Sequence, residues 1–317
     1  MRLALIDDFV PARIEADDRV LPLASSLPEV MTLTPMARMP ALIADWNGCR
    51  PRIEAAQGEL IDLSRVRLRA PVPRPTKLLC GQLSFREGVT NARVAPAFFL
   101  KSSTSVIGPG DTVELPAVDA AVFHHEAELA VVIGSRAKDV SAEDAMAHVF
   151  GYTCFLDMSA RGVGPGTGFQ DKSYDTFGPM GPWIVTADAI PDPLALQVRC
   201  HVDGVLRQDY PMSDIGNSVP ALIAYASSIA ALEPGDVLPL GVNHQGIGPI
   251  QHGETVAIEI AGIGGFEVTV DDPQRRRWEK GVDRGTAEAV LRMVRGEPVG
   301  TVSFARRLDR EDAGACS

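Results

Sequence analysis

The sequence lacks paired cysteines, a long apolar run and an excess of positive charge. Its five cysteines are scattered, at Cys49, Cys80, Cys154, Cys200 and Cys316. An odd number without a paired spacing fits reduced thiols in a cytosol better than a disulfide framework or a zinc site. No apolar run reaches the roughly 18 residues that span a membrane, and Asp7 and Asp8 lie where a signal peptide would have its apolar core. We therefore expect a cytoplasmic protein with no membrane partner.

The charge balance excludes another class of partner. The chain of 317 residues carries a formal net charge of −11 at pH 7, whereas a nucleic-acid-binding surface needs an excess of basic side chains. Hydrophobic residues make up 45% and charged residues 22%, which is ordinary for a globular protein. We expect no nucleic-acid partner, in a chain with room for one large or two modest domains.

One stretch combines histidine, two glutamates and an apolar run. It begins with His124, Glu126 and Glu128 and continues through aliphatic residues to Gly134. These residues predict one β-strand, and because strand side chains alternate between faces, His124 and both glutamates would share one face. Two carboxylates entering a buried strand would bind a hard divalent cation. The alternative is an edge strand whose polar face meets water, and the spacing leaves both interpretations open.

Two further motifs follow along the chain. An apolar run from Gly151 ends in Asp157, and a third segment begins at Lys172. Taken in order, the motifs Glu-x-Glu-Leu-Ala-Val-Val-Ile-Gly, Gly-Tyr-x-x-x-x-Asp-Met-Ser-Ala-Arg and Lys-Ser-x-Asp-Thr-Phe-Gly-Pro resemble the fumarylacetoacetate hydrolase family. The resemblance runs from about Val72 to Val270 and is greatest to the acylpyruvase and oxaloacetate decarboxylase branch.

The resemblance implies a fold and a domain organisation. The fold class is α+β, with a mixed β-sandwich roll of the fumarylacetoacetate hydrolase C-terminal-domain type over residues 71–271. A small N-terminal domain over 1–70 precedes it. A C-terminal extension over 272–317 follows, in which residues 286–295 predict a short amphipathic helix. We assign no function to either flanking part.

The resemblance also implies a metal centre and a substrate class. In the family two glutamates and an aspartate bind Mg²⁺ or Mn²⁺, which gives these ligand roles to Glu126, Glu128 and Asp157. The family's lysine lies near the substrate, so Lys172 is implied to be catalytic. A small 2-oxo carboxylic acid as substrate and a homodimer are implied in the same way.

One family motif is absent. The family usually has a histidine and, three residues later, a glutamate that together activate water, but these positions hold Gly88 and Asn91. Neither side chain can serve as a base at neutral pH. We therefore predict that decarboxylation or tautomerisation of oxaloacetate-like acids is favoured over hydrolysis of an acylpyruvate. His124 is a candidate catalytic base or else a partner of a carboxylate, and Glu87 or His244 could restore the base from another position.

Five residues are candidates for contact with the substrate: Gln208, Asn243, His244, Lys101 and Arg161. Gln208 matches a glutamine that recurs near the substrate in the family, and Lys101 either faces a substrate carboxylate or is solvated. The loop that starts at Gly241 replaces the family's Gly-Thr-Pro-x-Gly and has valine at the threonine position. We expect Asn243 or His244 to supply the missing polar contact, the alternative for His244 being simple exposure.

Two functions of different classes follow. The first is a divalent-metal-dependent enzyme that acts on a C–C bond or the enol of a 2-oxo or 1,3-diketo carboxylic acid, as hydrolase, decarboxylase or isomerase. The second is a metal-binding family member that lost catalysis and binds a 2-oxo acid. A metal held by three protein carboxylates keeps open positions for a substrate. Because the three ligand residues and Lys172 are all present, the enzyme is favoured.

Overall fold

The structure, a computed structural model, describes residues 1–164 and 168–308. Its strands are β1 Arg2–Ile6, β2 Val10–Ile14, β3 Arg19–Pro22, β4 Ile61–Asp62, β5 Leu68–Arg69, β6 Leu78–Gly81, β7 Phe98–Lys101, β8 Val106–Ile107, β9 Thr112–Glu114, β10 Val122–His124, β11 Ala127–Ile133, β12 Val149–Leu156, β13 Ser159–Arg161, β14 Gly178–Thr186, β15 Gln197–Val202, β16 Val205–Pro211, β17 Val237–Pro239, β18 Thr255–Ile260, β19 Gly264–Asp271, β20 Arg277–Trp278 and β21 Arg307–Leu308. Its α-helices are α1 Pro28–Met31, α2 Arg38–Ala44, α3 Trp46–Ala55, α4 Phe169–Lys172, α5 Val219–Ile229 and α6 Arg284–Arg295. Of the helices in these residues, none is both long and apolar enough to cross a bilayer.

Most strands join one large mixed sheet. Its order is β4-β3-β2-β1-β14-β12-β11-β17-β6-β7, with β5 paired to β1 and β8 paired to β14. The N-terminal strands enter through β1, which pairs with β14 at Arg2↔Val185 and Leu3↔Ile184. The N-terminal segment is thus hydrogen-bonded into the same sheet as the main domain, and the domain boundaries at residues 70 and 271 stay a prediction.

Strand β11 lies in the interior with all seven residues buried. Leu129 and Val131 belong to a core shared with a second sheet, of order β16-β15-β18-β19-β9. Ala130 and Val132 belong to another core, which includes residues of α2 and α3. A strand buried on both faces takes apolar residues at consecutive positions, which accounts for the run after Glu128. The predicted α+β class is confirmed.

The strand predicted to start at His124 is wrong at its beginning, because two strands occupy that segment. β10 ends at His124 and pairs with β13, whereas β11 begins at Ala127 and pairs with β12. Just before β11, the amide of Asp157 donates to the carbonyl of Glu126 over 2.8 Å. The backbone leaves the large sheet beyond this contact, so His124 does not share a strand face with the glutamates.

The C-terminal extension packs onto the main domain. The Trp278 side chain is fully buried, and its Nε1 donates to the carbonyl of Ala121 over 2.6 Å. Helix α6 agrees with the helix predicted over 286–295, and its N-cap is Asp283, which accepts from the amide of Thr286. The extension, described as far as Leu308, is therefore part of the folded core.

Candidate functional site

Three acidic side chains meet in the interior. Glu126 immediately precedes β11, Glu128 lies within it, and Asp157 follows β12. Ala127 pairs with Leu156, which brings Asp157 level with Glu126. One carboxylate oxygen from each of the three acids lies within 4.8 Å of the others. All three are buried, so the interpretation as a water-exposed edge strand is wrong.

Three cationic side chains surround two of these acids. The Lys172 ammonium donates to Glu126 Oε2 over 2.6 Å and to Asp157 Oδ2 over 2.8 Å. The Lys101 ammonium donates to Asp157 Oδ1 over 2.5 Å, and the Arg161 guanidinium donates to Glu126 Oε1. Glu126 and Asp157 are therefore compensated by charge-assisted hydrogen bonds.

Glu126 and Lys172 favour each other's charged form. Burial disfavours a charged Glu126, but the positive charges of Lys172 and Arg161 outweigh it and lower the pKa of Glu126. Burial also disfavours a charged Lys172, but the carboxylates of Asp157 and Glu126 outweigh it and raise the pKa of Lys172. Lys172 is therefore an ammonium group at neutral pH.

Among the described residues, Glu128 is the acid of this cluster that forms no ion pair. Its Oε2 accepts a hydrogen bond from the amide of Gly241 over 2.8 Å, and its buried Oε1 has no partner among the described residues. Burial, followed by the negative charges of Asp157 and Glu126, raises the pKa of Glu128 well above its usual value. An unpartnered buried oxygen in an all-oxygen donor set fits a hard divalent cation such as Mg²⁺ or Mn²⁺.

A cavity of about 430 Å³ opens beside the carboxylates. Its polar lining includes Glu126, Arg161, Lys172 and His244. Its apolar lining comes from the main domain, as Leu83, Phe99 and Val242, and from the C-terminal extension, as Ala289, Val290, Met293, Val302 and Phe304. The extension, to which the motifs assign no role, therefore supplies five of the eight apolar side chains that line the cavity among the described residues.

Three of the predicted substrate-binding residues lie at the carboxylates or the cavity. Arg161 and His244 line the cavity. Lys101 is buried at the end of β7 and bonded to Asp157, so it is not the solvated lysine that was the alternative. The Lys101 ammonium thus contacts a predicted metal ligand, Asp157, but Lys101 is not among the residues that line the cavity.

The other two predicted residues hold neighbouring segments together and do not line the cavity. The Gln208 side chain accepts from the amide of Ala127 over 3.2 Å and donates to the carbonyl of Asn243 over 2.9 Å. The Asn243 side chain donates to Asp214 Oδ2 over 2.8 Å. These contacts tie the start of β11 to the loop after β17, and they engage both ends of the Gln208 amide.

His124 is fully buried between two charged groups. Its Nε2 lies 2.9 Å from Asp283 Oδ2, and Arg161 Nε donates to its Nδ1 over 3.3 Å. Burial lowers the pKa of His124 despite the hydrogen bond to Asp283. With both ring nitrogens engaged, His124 is poorly placed to exchange a proton with a substrate. Its carboxylate partner, Asp283, is not one of the three predicted metal ligands, and both roles named for His124 stay predictions.

A histidine–glutamate pair lies at the cavity, although the family positions Gly88 and Asn91 are exposed. It consists of His244 and the buried Glu87, with Nδ1 of the imidazole 2.9 Å from Glu87 Oε1. The sequence named these residues only as separate alternatives. The pair could not be predicted from local sequence, because it joins segments 157 residues apart. The one local signal for it was the acidic residue directly before Gly88.

Most of this chain is similar to known proteins. Residues 79–271 match the family model described as fumarylacetoacetate (FAA) hydrolase C-terminal. The maleylpyruvate hydrolase of Aquipseudomonas alcaligenes is 34% identical over 251 residues, 74% of this chain and 82% of that protein. The mitochondrial oxaloacetate tautomerase of Rattus norvegicus is 38% identical over 226 residues, 67% of this chain and 72% of that protein.

Solved structures give the same result. The maleylpyruvate hydrolase from Sphingobium sp. SYK-6 in complex with manganese(II) and pyruvate has a TM-score of 0.76 and 36% identity, over 86% of this chain and 99% of that chain. The 5-carboxymethyl-2-hydroxymuconate delta-isomerase from Mycobacterium smegmatis has a TM-score of 0.70 and 33% identity, over 86% of this chain and 99% of that chain. The family and fold predicted from three ordered motifs are confirmed: the chain belongs to the fumarylacetoacetate hydrolase family.

Proposed function

We propose that this chain is a divalent-metal-dependent enzyme that breaks or shifts a bond at C3 of a 2-oxo carboxylic acid. The observation that carries the proposal is the buried Glu128 oxygen that has no partner among the described residues, in a cluster of three carboxylates beside a cavity. Glu126, Glu128 and Asp157 would hold Mg²⁺ or Mn²⁺. The Lewis acidity of the bound ion would polarise the C2 carbonyl of the substrate. The relative solved with manganese(II) and pyruvate supports this pairing of metal and 2-oxo acid.

Two cations of the cavity are proposed to handle the negative charge of the substrate. Arg161 lines the cavity with a partly exposed side chain, and its planar guanidinium suits a carboxylate. Lys172 lines the same cavity as an ammonium, which would stabilise the enolate that develops when a bond at C3 breaks. Lys101 is proposed to position Asp157, on the strength of their 2.5 Å hydrogen bond.

The far end of the substrate is proposed to be apolar. The extension lines the cavity with Val290, Met293, Val302 and Phe304, none of which can pair with a charged group. Burying a second carboxylate against these side chains would carry a desolvation cost without a compensating hydrogen bond. An acylpyruvate with an alkyl or aryl acyl group fits this lining better than a dicarboxylic acid.

The reaction proposed first is hydrolysis of the C–C bond of an acylpyruvate. The second candidate is tautomerisation or decarboxylation of oxaloacetate, which the missing family motif predicts from sequence and which one relative's name supports. A third is binding of a 2-oxo acid without catalysis. A homodimer and a cytoplasmic location are proposed as well. The first rests on family resemblance. The second rests on the scattered cysteines, since the four within the described residues are buried and form no disulfide with one another.

The test is an activity panel with the full chain. The protein is stripped with EDTA, reloaded with Mn²⁺ or Mg²⁺, and assayed with acetylpyruvate, a longer acylpyruvate and oxaloacetate. We expect activity that requires the metal and kcat/KM values that rise with the length of the acyl group. Glu128→Gln is the matched variant that should lose metal-dependent activity.

Two results would contradict the proposal. Activity that survives EDTA and the Glu128→Gln change would remove the metal from the reaction. Binding of pyruvate and Mn²⁺ without turnover of any of the three acids would leave the non-catalytic binding protein as the function.

A further inference from the structure

A buried glutamate and a histidine form a tightly connected pair at the cavity. Glu87 is 6% exposed and His244 is 6% exposed. Both oxygens of Glu87 accept from the amide of His244, over 3.1 and 2.9 Å, and Oε1 lies 2.9 Å from Nδ1 of its ring. Gln245 Nε2 donates to Oε2 over 2.9 Å. The carboxylate therefore holds both the loop and the ring of His244.

The pairing decides which ring nitrogen can accept a proton. A carboxylate only accepts hydrogen bonds, so the imidazole nitrogen that faces it carries the hydrogen. Nδ1 is then the donor to Glu87, and Nε2 is left with a lone pair. Because His244 lines the cavity together with Glu126 and Lys172, that lone pair belongs to the same site as the carboxylate cluster.

The backbone at Glu87 indicates that this arrangement is imposed by its surroundings. Glu87 has a φ of 55°, in the left-handed region that non-glycine residues seldom adopt. Strained residues persist where neighbouring contacts enforce them, and they concentrate at functional sites. Here the amide of Arg86 donates to the carbonyl of Asp214 over 2.9 Å, and the amide of Gly88 donates to the Asp214 carboxylate. Asp214 also binds Asn243, the residue before His244.

We propose that His244 is the general base that activates water for C–C bond hydrolysis, and that Glu87 is the positioning residue that orients its ring. The inference rests on the proposed function. It assigns the role of the general base to a residue in the loop after β17. The positions that usually hold the family's base pair, Gly88 and Asn91, have no side chain that can accept a proton. It also reverses the reaction preference predicted from sequence, because hydrolysis no longer lacks a proton acceptor.

The proposed step balances with water as the only co-reactant. Nε2 of His244 takes one proton from water while the water oxygen bonds to the distal carbonyl carbon of the acylpyruvate. The C3–C4 bond then breaks, and its electron pair passes to C3 and is delocalised onto the C2 oxygen. The imidazolium returns its proton to C3. The products are one carboxylic acid and one pyruvate.

Other groups at the cavity are less suited to this task. Lys172 is already protonated, and Glu126 is engaged by Lys172 and Arg161. Asp171 also lines the cavity, and its buried Oδ1 has no partner in the part of the chain that the structure describes. Asp171 is therefore the competing base, and the experiment includes it.

The test compares two reactions of the Mn²⁺-loaded full chain. Hydrolysis of acetylpyruvate needs an activated water, whereas decarboxylation of oxaloacetate does not, because the enolate can take its proton from solvent. For His244→Asn we expect kcat/KM of hydrolysis to fall by about 10²–10⁴, the range for loss of a general base, while decarboxylation changes little. His201→Asn is the matched control: His201 lies in strand β15 and is not among the residues that line the cavity, so both reactions should be unchanged.

Glu87→Gln separates positioning from folding. It should lower kcat of hydrolysis by at least about tenfold, since a neutral amide no longer enforces the required tautomer, with little change in KM or in oxalate binding. A thermal unfolding scan with and without oxalate establishes that each variant is folded and binds.

Four results would overturn the inference. Two concern His244→Asn: an equal loss of both reactions, or hydrolysis that stays unchanged. The third is a selective loss of hydrolysis in Asp171→Asn instead. The fourth is a wild type that decarboxylates oxaloacetate but does not hydrolyse acetylpyruvate. A wild type that binds metal but catalyses neither reaction would refute the proposed function itself, and the inference would fall with it.

Discussion

Replacement of Glu128 by glutamine is the sharpest perturbation of the proposed metal centre. The change keeps the shape of the side chain and an oxygen that can accept from Gly241, but it removes the charge. In the metal-free protein that charge is destabilising, because Glu128 is buried beside two other acids and its Oε1 has no hydrogen-bond partner among the described residues. We therefore expect the metal-free variant to have a Tm equal to or above that of wild type.

The magnitude follows from ligand linkage. At a free Mn²⁺ concentration 100 times Kd, a ligand that binds only the folded state adds about 2.7 kcal/mol to the free energy of unfolding. With an unfolding entropy of about 2.1 cal/mol/K per residue, the Tm of a 317-residue chain shifts by about 1.5 °C per kcal/mol, so this corresponds to a rise in Tm of about 4 °C. If the variant binds Mn²⁺ about 100-fold more weakly, the stabilisation at the same concentration is about 0.4 kcal/mol, or less than about 1 °C.

The assay is a thermal unfolding titration with Mn²⁺ after EDTA treatment and removal of the chelator. Wild type should gain Tm with increasing metal, and Glu128→Gln should lose most of that gain. Glu143→Gln, an exposed glutamate in the connection between β11 and β12, is the control and should respond like wild type. A full metal-dependent rise in Tm in Glu128→Gln would refute the assignment of Glu128 as a ligand.

Two further predictions concern the residues around the centre. Lys172→Met should lower kcat/KM by about 10²–10³ through loss of one electrostatic stabiliser. The Mn²⁺ affinity should be unchanged or higher because a nearby positive charge is gone, and wild-type turnover would make Lys172 a structural lysine. Asp283→Ala should lower the free energy of unfolding in urea by about 2–4 kcal/mol, since it removes an N-cap and leaves buried donors unpaired. Burial disfavours the ionised Asp283, but the hydrogen bond from His124 outweighs it and lowers its pKa to about 2. The contribution of Asp283 should therefore be present above about pH 4 and lost as the pH falls through about 2, and an identical acid profile in Asp283→Ala would contradict this.

Local patterns determined the parts of this protein that depend on neighbouring residues. The continuous apolar run after Glu128 predicted a buried strand, and the observed β11 is buried along its whole length. Helix α6 followed from amphipathic spacing at residues 286–295, and it is present in the structure. The three acids of the proposed metal centre, Glu126, Glu128 and Asp157, were also named from sequence, because two of the ordered motifs resemble those of the family. In the structure they lie on or directly beside two strands that pair as neighbours.

Tertiary structure decided everything that depends on distant segments. Asp283 reaches His124 across 159 residues of chain, and this contact ties the extension to the site. Glu87 and His244 are 157 residues apart, and neither residue indicates the other, because side chains on separate loops meet only when the sheets between them have packed. The break between His124 and Ala127 has the same origin. Residue periodicity reports which face of a strand is buried, but the point at which the backbone leaves one sheet for another is set by the partners it finds there.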